Sequence, residues 1–186
     1  MKKLLIIFCF FPVIIFAQEN PIALKSFVKK DTILLRWAMN DPAVFIQGLQ
    51  NGYQIDRISG TEKKAIFIEP FTTRAAGFRN TSDSTRLAFL ELIEGLISNN
   101  DLSLEAKKMC VVMLLLGSST DKILADYCGL YYADVLVNGN VSYSVSIRNS
   151  NFQSNSVSCN TNELSQNAPL SFLTATAKPK LKQAYL

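Results

Sequence analysis

Residues 131–149 read YYADVLVNGNVSYSVSIRN, and from Val141 to Ile147 apolar and polar side chains alternate without a break. A period of two is the signature of a strand with one buried and one wet face. The fifty residues before this run have the opposite character. Apolar side chains at 89, 92, 93, 96 and 97 recur at helical spacing, and the run MCVVMLLL (109–116) is dense enough for a buried helix. A strand this regular cannot bury its apolar face alone, so other strands must lie upstream of the helices.

Four segments meet that need. IALKSFV (22–28) and TILLRWA (32–38) alternate, the second with Ile33, Leu35 and Trp37 on one face and Thr32 and Arg36 on the other. YQIDRIS (53–59) places Tyr53 and Ile55 inward. KAIFIEPF (64–71) is a fourth strand closed by Pro70. Downstream, 131–136, 141–149 and 154–160 complete seven. NDPAVFIQGLQNG (40–52) carries loop signals, Asn-Asp-Pro and Asn-Gly, at its ends.

The spacing predicts three helices over about 82–131. Ser82, Asp83 or Ser84 caps the first, because a short side-chain oxygen accepts the free amides of a first turn. Ser103 caps the second, which stops at Gly117. Thr120 caps the third, which ends near Gly129. Short links predict that the first two pack as an antiparallel hairpin.

The first seventeen residues have the layout of a secretory signal peptide. Lys2 and Lys3 precede thirteen apolar residues, Leu4 to Phe16, and Ala17 stands at the cleavage point. The run is too short for a bilayer span and contains Pro12. Taking Lys2 and Lys3 from 19 basic residues leaves 17 against 15 acidic, a net of +2. That balance argues against nucleic acid or an anionic membrane as partner. The expected address is export: periplasm, cell surface or medium, with no transmembrane segment after cleavage. Cys110, Cys128 and Cys159 would remain, an odd count that leaves at least one thiol free. Cys110 and Cys128 could be bridged, but buried unpaired thiols are the simpler reading.

Taken together, ILLRW, GYQIDR and VNGNVSYSVSI resemble a fibronectin type III domain. In that family a second-strand Trp and a third-strand aromatic share the core, which Trp37 and Tyr53 match. Val137, Gly139 and Tyr143 match the approach to a sixth-strand Tyr whose hydroxyl ties back to the backbone. The leader, with Gln18 after the cleavage Ala, resembles export signals of Bacteroidota-like bacteria. The resemblance implies an α+β chain: a fibronectin type III-like antiparallel β-sandwich over 18–160, interrupted by a three-helix insertion. Ile22 to Asn160 spans 139 residues where such sandwiches take about 100, and the insertion accounts for the excess. Residues 161–169 read as a polar linker. PLSFLTATAKPKLKQAYL (169–186) echoes PIALKSFVKKDTILL (21–35), as the start of a second, truncated repeat at 170–186.

Catalytic chemistry finds little here. The chain has no His, which removes His-activated nucleophiles and the commonest metal ligand. There is no Cys-x-x-Cys and no glycine-rich phosphate loop. Glu91 and Glu94 read as a wet helix face, Asp121 and Asp126 as residues of a helix start, Asp31 and Asp41 as turn residues. No catalytic, metal or cofactor-binding residue is expected. FIEPFTTRAAGFRN (67–80) is the stretch to watch for binding, through Phe71, Arg74, Phe78 and Arg79, since aromatic and Arg side chains concentrate where surfaces meet. The plainer reading has both phenylalanines packing the helices onto the sandwich. The expected function is a non-catalytic module of a secreted or cell-envelope repeat protein, serving protein or glycan binding, adhesion or assembly. The alternative is an accessory module of a secreted hydrolase with its catalytic domain beyond Leu186.

Overall fold

The computed structural model describes residues 20–160 apart from 30, 40 and 136–138. The leader (1–17), Val137, the linker (161–169) and the repeat start (170–186) lie outside the described residues. Seven strands form two antiparallel sheets. β1 (Ile22–Lys29), β2 (Thr32–Met39) and β5 (Tyr131–Val135) make one, in the order β1-β2-β5. β3 (Tyr53–Ser59), β4 (Glu62–Ile68), β6 (Asn140–Ile147) and β7 (Val157–Asn160) make the other, in the order β4-β3-β6-β7. The chain is therefore α+β with two antiparallel sheets and five helices among the described residues.

The alternation of β6 has the predicted consequence. Val141, Tyr143, Val145 and Ile147 are buried, while Ser142, Ser144 and Ser146 are only partly so. β6 runs beside β3, with Tyr53 opposite Ile147 and Ile55 opposite Val145. Asp134 and Val135 close β5, within the strand expected over 131–136. The facing sheet contributes Ile33, Leu35 and Trp37 to the same core. Trp37 meets Tyr53 edge-on, with ring centroids 5.5 Å apart. Each of these large side chains contributes about 1.5–3 kcal/mol by leaving water.

One ion pair spans the gap between the sheets. The Asp134 carboxylate, on β5, accepts from the Tyr143 hydroxyl on β6 at 2.9 Å and from Arg57 Nη1 on β3 at 3.2 Å. Burial first, and then the Asp134 hydrogen bond, push the Tyr143 hydroxyl far above its ordinary pKa.

The helices differ from the expectation in number and extent. Residues 40–52 are not a plain loop: α1 (Pro42–Asn51) fills them. Asn-Asp-Pro is a helix start here, because the Asp41 carboxylate accepts from the Ala43 and Val44 amides at 2.7 and 3.3 Å and Pro42 occupies the first turn. α1 lies against Tyr53, and a methyl group at Gly48 would stand 2.2 Å from the Tyr53 hydroxyl oxygen. The block between β4 and β5 starts at Phe71 rather than about 82, and has four helices rather than three. They are α2 (Phe71–Phe78), α3 (Ser84–Ser98), α4 (Leu104–Thr120) and α5 (Lys122–Cys128).

Asp83 and Ser103 cap α3 and α4 as expected. Gly117 does not stop α4, which continues to Thr120. Its lack of a side chain instead admits the Phe89 ring of α3, whose nearest atom a methyl would meet at 2.3 Å. Asp121, not Thr120, caps α5 through the Ile123 amide at 2.7 Å. Cys110, Cys128 and Cys159 are all free. Among the described residues, no helix is long and apolar enough to cross a membrane.

Candidate binding groove

The helical block meets the two sheets along the edges of β4 and β5, and the junction leaves a groove of about 410 Å³. Phe67, Ile68 and Glu69 line it from the sheet side. Arg74 and Phe78 come from α2, Asp126 and Gly129 from the end of α5, Tyr131 and Tyr132 from β5. Phe67 is 56% exposed, because it stands on the outer face of β4 opposite Gln54 rather than in the core. The Arg148 guanidinium lies 5.4 Å from its ring centroid, held there by an ion pair with Glu69 at 3.1 Å.

Arg74 is the clamp of the junction. Its Nε donates to the Glu69 carbonyl at 2.7 Å, and its two terminal nitrogens donate to the Asp126 and Tyr127 carbonyls. Those carbonyls belong to the last turn of α5, which has no intrahelical donors left for them. The turn closes in a Schellman arrangement: the Gly129 amide donates to Asp126 at 3.0 Å and the Leu130 amide to Ala125 at 2.8 Å. Gly129 adopts φ +65°, and a side chain there would stand 2.8 Å from Arg74 Nη2. Desolvation lowers the Arg74 pKa, opposed by the nearby Tyr53, Cys128 and Asp126. Burial of its carboxyl raises the Asp126 pKa, offset by Lys122 and Arg74.

The four residues singled out in the sequence part company here. Arg74 and Phe78 line the groove together, the guanidinium 5.6 Å from the Phe78 centroid. Phe78 also packs on Tyr127 at 4.5 Å between centroids. Phe71 is buried in the core, and Arg79 pairs with Glu94 on the helical surface. Phe71 thus follows the plainer packing reading, and Phe78 does so in part. The groove's other aromatic residues are Phe67, which opens the stretch 67–80 but is not among the four, and Tyr131 and Tyr132, which lie outside it. Their alternation within β4 and β5 marked them as strand residues, and only the approach of α2 and α5 turns that edge into a concavity.

Tyr131 also lines a second cavity of about 650 Å³, with Lys29, Asp31, Arg36, Ser119, Thr120 and Lys122 among others. Arg36 was expected on the wet face of β2, yet it is buried. The end of α4 covers it, and its guanidinium donates to the Ser118 and Ser119 carbonyls. Lys122 sits 4.9 Å from the Tyr131 ring centroid. Among the described residues, no three His, Cys, Asp or Glu side chains cluster as a metal site. In comparisons with known proteins the chain matches no family model, no curated protein and no solved structure.

Proposed function

We propose that this chain is an exported, non-catalytic binding module of the cell envelope or medium, built on a fibronectin type III-like sandwich, and that its groove grips an oligosaccharide. What supports the fold reading is the three-plus-four strand order, the second-strand Trp37 against the third-strand Tyr53, and the sixth-strand Tyr143. The strand arrangement is that of an immunoglobulin constant sandwich except that the fourth strand pairs with the third. One departure is that the Tyr143 hydroxyl bonds the Asp134 carboxylate, not the backbone.

The observation that carries the ligand reading is the groove itself. Exposed Phe67 and the tyrosines offer flat apolar surface to the C–H face of a sugar ring. Glu69 and Asp126 accept from its hydroxyls, and Arg74 and Arg148 hold the groups around them in place. A preformed concavity with an apolar floor and a few convergent polar groups is the usual form of a small-ligand site. The leader-like first seventeen residues support the reading, because an exported module would meet glycans.

Saturation-transfer NMR against a panel of neutral oligosaccharides tests this. Binding that Phe67→Ala weakens about tenfold or more, with the thermal melt unchanged, is the expected result. A folded protein to which none of the panel binds overturns the glycan reading.

A further inference from the structure

Helix α4 is apolar on both sides. Val111 and Leu114 are buried against the rest of the molecule. Met109, Val112, Met113 and Leu116 are 63, 50, 47 and 44% exposed. At 100° per residue these four fall on one stripe, opposite Val111 and Leu114. A helix that is hydrophobic all round is ordinarily covered all round.

We propose that a second copy of this chain covers the stripe, by antiparallel packing of α4 on α4 about a twofold axis between Val112 and Met113. The spacing carries the choice of partner. Reading Glu105, Met109, Val112, Met113, Leu116, Thr120, the steps are four, three, one, three, four residues. The pattern is a palindrome with a polar residue at each end. A twofold contact requires a patch complementary to itself, with residue i on j and j on i. Antiparallel pairing about that axis sets Met109 of each copy on Leu116 of the other and Val112 on Met113. It also opposes the two helix dipoles, which favours the pair.

The area fits as well. The four side chains leave on the order of 400 Å² exposed, close to the apolar share of the roughly 800 Å² that each partner buries in a standard interface.

Sedimentation of the full chain from about 1 µM to about 1 mM tests the proposal. The expected result is a monomer–dimer equilibrium that Met109→Glu or Leu116→Lys each weakens about a hundredfold, with helix content unchanged. The double variant M109E/L116K restores dimerisation, because each Glu then faces a Lys across the axis. That recovery also shows that the single variants had folded. A chain that stays monomeric throughout the range overturns the proposal, as does a dimer that neither single variant weakens.

Discussion

Strand β6 buries every apolar residue from Val141 to Ile147, whereas helix α4 buries Val111 and Leu114 and leaves Met109, Val112, Met113 and Leu116 in the open. Both segments have strong apolar signals. The difference lies in what surrounds them. β6 is an interior strand between β3 and β7, and its period of two matches one dry and one wet face. α4 buries one side against the described residues, and its apolar surface is larger than those residues cover.

The largest expected break in this comparison is in the core between the two sheets. Trp37→Ala or Tyr143→Ala should cost about 3–5 kcal/mol, read from urea denaturation. Met113→Ala, at the same chemistry of truncation but on the stripe, should move stability by no more than about 0.5 kcal/mol at dilution. Equal costs would mean that α4 is covered within the monomer.

The polar tie between the sheets comes next. Asp134→Ala leaves Arg57 and the Tyr143 hydroxyl without their shared acceptor and should cost about 3 kcal/mol or more. Tyr143→Phe removes only one hydrogen bond and should cost about 1 kcal/mol. At the helical junction, Gly129→Ala forces a side chain into φ +65° and onto Arg74 Nη2, for an expected loss of about 1–3 kcal/mol.

Alkali should act on the buried thiols and phenols. Burial raises the Cys128 pKa to about 11 from 9.0, opposed by Ser118 and Arg74, and Cys159, Tyr53 and Tyr143 shift the same way. Each group ionises more readily when unfolded. Stability is therefore full below about pH 9 and should fall as pH rises toward 11, with Cys128 alone accounting for about 2 kcal/mol. Cys128→Ala should flatten that slope in denaturation curves taken across the range. The smallest effect is a rate: native iodoacetamide labelling should leave Cys128 and Cys159 unmodified until the chain unfolds.

All seven strands were legible because alternation is local: each residue's side is set by its neighbours two positions away. Asp83 and Ser103 were legible as caps for the same reason. α1 was missed because Asn-Asp-Pro signals a turn and a helix start alike, and only the burial of Val44, Phe45 and Leu49 separates them. The groove was half legible. Arg74 and Phe78 stood out as a cation and an aromatic on a connection, whereas Phe67, Tyr131 and Tyr132 looked like ordinary strand residues.

By itself the sequence determined the strands, the starts of α3 and α4, and the lack of a His-based catalytic set. These follow from side-chain period and residue chemistry, which need no partner. Only the tertiary structure decided that Arg36 is buried beneath the end of α4, that Arg74 closes α5, that Asp134 joins the two sheets, and that α4 keeps a bare apolar stripe. Each of those depends on which surface arrives opposite a residue from tens of positions away, and no local pattern records that meeting.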